Sequence, residues 1–140
     1  MIATEDMFSA FESAIGQPVP MCIQSFYVEF DLSQCPGEFY NIPTDRFANC
    51  DRLLIQYIKP ISDVSDLQMQ SDAIYFCFAA SQDELDWWVK IDRHTGYVNV
   101  CSTYVGSGPR LADLECYPLT FAELIRCPFR SARDSDRTKP

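Results

Sequence analysis

The sequence predicts an α+β fold, with an antiparallel sheet of about four strands and helices packed mainly on one face. Three observations carry this. Residues 73–104 hold three aromatic or β-branched runs separated by two polar turns, the pattern of a three-stranded antiparallel meander. The flanking segments place apolar residues at helical spacing, available to cover that sheet. A chain of 140 residues, 47% apolar and 14% aromatic, is long enough to bury one core. One domain is expected over 1–129, with a flexible charged tail over 130–140.

Thr4 is placed to cap a first helix, with Glu5 and Asp6 in its first turn. Met7, Phe8, Phe11, Ala14 and Ile15 share a face, Gly16 stops the helix, and Pro18 and Pro20 prevent its resumption. From Pro20 two patterns compete. Ile23, Phe26, Tyr27 and Phe30 make a helical stripe, whereas Phe-Tyr-Val-Glu-Phe is rich in strand formers; Pro20 suits a first helical position, which favours helix.

Pro36-Gly37 marks a turn, and Phe39-Tyr40-Asn41-Ile42 reads as a short strand ended by Pro43. A third helix is expected from Thr44, with Phe47, Cys50, Leu54 and Tyr57 on its buried side, ending before Lys59-Pro60. Residues 62–71 are polar and read as a loop. In the meander, Ile74, Phe76 and Phe78 alternate with Tyr75, Cys77 and Ala79, both sets apolar, as in a central strand. Trp87, Val89 and Ile91 alternate with Trp88, Lys90 and Asp92, which implies one buried and one wet face. Gly96 suits the positive φ of the hairpin that follows. Thr120 and Glu123 form a capping box for a last helix, closed by Pro128.

The seven cysteines (22, 35, 50, 77, 101, 116 and 127) are odd in number and include no Cys-x-x-Cys. The single histidine cannot complete a zinc-finger-like set. Cys77 and Cys101 replace apolar residues in strand patterns, so reduced core thiols are expected rather than disulfides. The N-terminus is acidic where a secretion signal is basic, and no apolar run is long enough to span a bilayer. The expected location is therefore cytoplasmic, or the cytosol or nucleus of a host if the chain is viral.

Net charge is −9, and residues 1–45 hold seven acids and no Lys or Arg. That balance disfavours nucleic acid, whose phosphates need a basic surface, and suits a basic protein partner; it is equally what keeps a small domain in solution. Asp83, Glu84 and Asp86 cluster in the first meander turn. They read as a solvated turn, a docking patch, or part of a metal site. Adjacent strand residues point to opposite faces, so one of Trp87 and Trp88 is expected to face outward as a partner anchor, which one being open. Glu29, Asp31 and Glu38 extend the candidate acidic surface. His94 lies in a hairpin turn and reads as a solvent-exposed residue. Cys101, across the hairpin, is the least unfavourable candidate for a thiol nucleophile served by it. No cofactor is expected.

Three stretches resemble the SUKH superfamily. Phe11-Glu12-Ser13-Ala14-Ile15-Gly16-Gln17-Pro18-Val19-Pro20 is similar to its opening helix and Gly-x-x-Leu-Pro exit. Residues 78–100 are similar to its central strands, and Leu119-Thr120-Phe121-Ala122-Glu123-Leu124-Ile125 to its closing helix. The family's Asn-Gly-Gly after the second helix is missing, Pro36-Gly37 being the nearest substitute. Its Gly-Asp in the first meander turn is replaced by Ser81-Gln82-Asp83-Glu84. The resemblance implies a non-enzymatic binding module, such as an immunity protein that neutralises a toxin, as a monomer or weak homodimer. The alternatives are a viral accessory or structural protein acting by host-protein binding or self-assembly, and a small metal-dependent enzyme.

Overall fold

The computed structural model describes residues 5–30, 36–47, 51–81, 85–104 and 114–132. Its elements are α1 (Glu5–Ile15), α2 (Met21–Glu29), β1 (Gly37–Tyr40), β2 (Arg52–Ile55), β3 (Tyr57–Ile58), β4 (Gln68–Met69), β5 (Ala73–Ala80), β6 (Leu85–Asp92), β7 (Val98–Tyr104), β8 (Glu115–Thr120), α3 (Phe121–Ile125) and β9 (Phe129–Ser131).

The meander forms as expected: β5 pairs antiparallel with β6 from Ala73↔Asp92, and β6 with β7 from Leu85↔Tyr104. It is the centre of a larger sheet than four strands. Six strands run β3-β5-β6-β7-β8, with β4 joining β5 beside β3, and a separate three-stranded sheet runs β2-β1-β9. Asp92 organises the β6–β7 turn by accepting hydrogen bonds from the His94 and Thr95 N–H groups at 2.8 and 2.9 Å. Gly96 completes it at φ 77°, a left-handed conformation that a Cβ disfavours.

Both N-terminal helices form. Phe11 and Ile15 of α1 are buried, Met7 and Phe8 partly so, but Ala14, expected inside, is exposed. Ile23, Phe26, Tyr27 and Phe30 are all buried, so the helical stripe won over the strand formers. The segment joining the two helices is fixed from both sides: Glu12 Oε1 accepts from Val19 N–H at 3.1 Å, and Gln24 donates to Val19 O at 3.0 Å. Phe11 meets Phe76 edge-on at 5.0 Å, while Phe26 and Phe121 meet Phe78 at 5.8 and 5.0 Å. Residues from α1, α2, α3 and β5 thus share one aromatic core.

The expected third helix is a turn followed by strands. Leu53 and Ile55 are buried and alternate with exposed Arg52 and Leu54, and Leu53 pairs with Phe39 of β1. Leu54 and Tyr57, assigned to the buried side of a helix, are 38% and 53% exposed; Cys50 lies outside the described residues. A short apolar run fits either period, and the partner strand β1 decided the outcome. Gly37, expected in a turn, opens β1 instead. A Cβ there would lie 2.5 Å from the Phe129 ring and 2.7 Å from Arg130 O, so glycine lets β9 approach. Arg130 and Ser131 belong to β9, beyond the boundary expected for the tail; residues 133–140 lie outside the described residues. The loop expected at 62–71 contains β4.

Candidate functional site

Of the eight residues singled out from sequence, Asp31, Asp83 and Glu84 lie outside the described residues. The other five do not gather in one place. Trp87 and Trp88 do point to opposite faces of β6, yet both are buried, at 5% and 4% exposure. Trp87 stacks on Phe47 at 5.4 Å and neighbours Tyr117 at 6.1 Å. Trp88 packs with Cys77 and Cys101 on the other face, flanked by Tyr75 and Leu114. The expected wet face is covered here, and neither indole is presented as an outward anchor. Neither indole N–H has a hydrogen-bond partner among the described residues.

Glu38 stands in β1 opposite Leu54 on one side and Arg130 on the other. Arg52 lies 3.9 Å from its carboxylate, and Arg130 sits 5.1 Å above the Tyr40 ring. The outer face of the small sheet therefore mixes charge signs and is not acidic. Glu29 is exposed at the end of α2. The same helix exposes Met21 (74%) and Val28 (53%), with Ser25 between them at helical spacing.

Asp86 joins a group that the sequence did not disclose. Lys59, almost buried at 9% exposure, places its ammonium 2.5 Å from Asp66 Oδ2, 3.7 Å from Asp63 Oδ1 and 5.4 Å from the Phe76 ring centre. The Asp66 contact has poor hydrogen-bond direction, and Asp66 Oδ1 is buried with no donor among the described residues. Burial, then the negative charge of Asp66, raises the Asp86 carboxyl, and Lys59 opposes them. Burial, with Asp66 and Asp86, pushes the Cys77 thiol up to about 12. At neutral pH this thiol stays protonated and is a poor nucleophile. A lysine before a proline and an aspartate in a polar loop carry no sequence signal that they will meet. Packing of 59–66 against the sheet edge brings them together.

Cys101 and Cys116 form a disulfide. This corrects the expectation of reduced core thiols at Cys101 and removes its thiol as a nucleophile candidate. They are register partners of β7 and β8 with Cα atoms 4.1 Å apart, close enough for their side chains to meet on one face. Cys77, Trp88, Cys101 and Cys116 make one cross-strand row over four strands. Cys22, Cys77 and Cys127 are free. His94 is exposed in its turn.

No protein-family model, curated protein or solved structure matches this chain. Among the described residues, no three His, Cys, Asp or Glu side chains gather in a way that could hold a metal ion, and no helix is long and apolar enough to cross a membrane. A half-open cleft of about 420 Å³ lies between Glu29 and Phe30 on one side and residues 125–129 on the other. It lies at the C-terminal end of α2, and among the described residues Glu29 is the only sequence-selected one that lines it.

Proposed function

We propose that the chain is a non-enzymatic protein-binding module that docks a basic protein through an acidic surface centred on α2. The observation that carries this is the outer face of that helix. Met21 and Val28 are 74% and 53% exposed beside the Glu29 carboxylate, in a segment, 1–45, without Lys or Arg. Exposed apolar side chains can anchor a partner, and surrounding charge steers its approach. Asp31, Asp83 and Glu84 are candidate contacts by their charge alone, being outside the described residues, while buried Trp87 and Trp88 shape the scaffold.

The SUKH resemblance belongs to the same proposal. It makes the partner a toxin or effector and the role inhibition, with the helices on one face of the large sheet. The ring contacts from Phe11, Phe26 and Phe121 to β5 support that layering. A cytoplasmic address, or a host's cytosol or nucleus, completes it. The free thiols of Cys22, Cys77 and Cys127 suit such an address; the Cys101–Cys116 disulfide is what it must accommodate, since a reducing compartment opens such bonds.

The test is affinity capture from the native source, followed by stopped-flow association with the captured protein. A basic partner whose association slows about tenfold or more from low to physiological salt supports the reading. An association rate indifferent to salt removes the acidic face from the interface.

One observation favours a second reading, self-assembly. The Arg52–Glu38–Arg130 face alternates in sign and is compatible with a second copy laid across it. Solution mass across a concentration series distinguishes a weak homodimer from a monomer.

A further inference from the structure

Resting on the proposed docking of a basic protein, we infer that the cleft beside Glu29 receives a cationic side chain, lysine or arginine, from that partner. The cleft has about 420 Å³ of room, which accommodates a long side chain. Phe30 and Phe129, whose rings pack on each other 5.1 Å apart, are among its lining residues. The charged end of the incoming side chain would meet the Glu29 carboxylate and the C-terminal end of α2. A helix end of this kind carries partial negative charge on carbonyls that the helix itself does not satisfy. Phe26 O accepts from Phe30 N–H at 2.8 Å, and the last turn of α2 carries no basic residue of its own.

Arg126 is the one cation in the lining among the described residues, and it stands at the C-cap of α3. It competes with an incoming cation, and that gives the inference a signed test. Removing Glu29 charge weakens binding, whereas removing Arg126 charge strengthens it. Were the occupant an anion, both signs would reverse; were it zwitterionic, both substitutions would weaken binding.

The experiment titrates capped tri-arginine and tri-lysine peptides into the full chain, with capped tri-glutamate as control, and follows backbone amide shifts. The expected result is saturable shifts concentrated at Phe30 and residues 125–129 for the basic peptides alone. Glu29→Gln should lower affinity about threefold and Arg126→Gln raise it about as much, the scale of one exposed charge pair. Shifts spread evenly over the acidic surface, or unchanged affinity in both variants, overturn the inference. A captured basic partner with salt-dependent association that ignores both substitutions would leave the docking proposal standing and this pocket excluded.

Discussion

Tyr27 of α2 donates its hydroxyl to the carbonyl oxygen of Lys59, 2.7 Å away across 32 residues of sequence. The group is buried, and burial raises its pKa well above 10, so it remains a donor. This bond ties the second helix to the chain leaving β3, where Lys59 N–H in turn donates to Phe78 O at 2.9 Å. Tyr27→Phe removes the donor and strands a buried carbonyl. The expected cost is about 1–3 kcal/mol, because the desolvation of the orphaned acceptor is no longer offset. Urea unfolding should show it as a lower midpoint at unchanged slope. A loss below about 0.5 kcal/mol would mean that another donor replaces the hydroxyl.

Lys59 and Asp66 form an ion pair 2.5 Å apart at a largely buried site. A fully buried pair loses about 3–5 kcal/mol when one partner is removed. The Asp66 side chain keeps 26% exposure, so Lys59→Met should cost less, about 1–3 kcal/mol. The double variant Lys59→Met/Asp66→Leu should recover much of that, since no buried charge is left unpaired. A double-mutant cycle on thermal or urea stability measures the coupling. Additive losses would show that the two groups do not interact.

Cysteine chemistry separates three environments. Protein isolated without reductant should yield no free thiol at Cys101 or Cys116. Cys22 and Cys127, partly exposed with thiols raised by burial, should alkylate slowly at about pH 8. Cys77, held at about 12 by burial and by Asp66 and Asp86, should resist alkylation until unfolding. Peptide mass mapping after iodoacetamide reads all of these. The disulfide closes a separation of 15 residues, so Cys116→Ser should cost about 3 kcal/mol on the chain-entropy model. Rapid labelling of Cys77 in the folded chain would contradict its placement.

Acid stability should depend on opposed carboxylates. Glu123 completes the α3 capping box: its Oε1 accepts from Thr120 N–H at 3.2 Å, and it pairs with Arg46. The Thr120 backbone bond leads in holding its carboxyl below 4.5. A group lowered on folding contributes stability above its unfolded value and loses it as pH falls through the folded value. Asp92 acts in the same direction, held down first by Thr95 N–H. Asp86 acts oppositely: burial, then Asp66, raises it, so its ionisation disfavours folding as pH rises beyond 3.8. Glu123→Gln should therefore flatten the acid limb of the Tm profile. Asp86→Asn should raise Tm near about pH 7 and change little near about pH 3. A lower Tm at neutral pH for Asp86→Asn would show that its carboxylate makes a contact the fold requires.

Periodicity and local turn chemistry made a large part of this protein legible from sequence. The meander, the α2 stripe, the Gly96 turn and the Thr120–Glu123 cap depend on residues near one another in the chain, and each appears where its pattern places it. The segment from Phe47 to Tyr57 departs from its expected helix because its apolar residues fit a helical stripe only until β1 offers Leu53 and Ile55 a partner. Burial of both tryptophans was equally hidden, since alternation shows that Trp87 and Trp88 diverge but not that each face is covered.

The site divides along the same line. The acidic bias, the absence of early basic residues and the single histidine are properties of the sequence itself. Tertiary structure alone decided that Lys59 meets Asp66, that Cys101 bonds Cys116, and that Glu29 borders a cleft whose far wall lies about a hundred residues downstream. Local preference is set by neighbouring residues, whereas these pairings depend on which strands and helix ends packing brings together, and no short-range pattern encodes that.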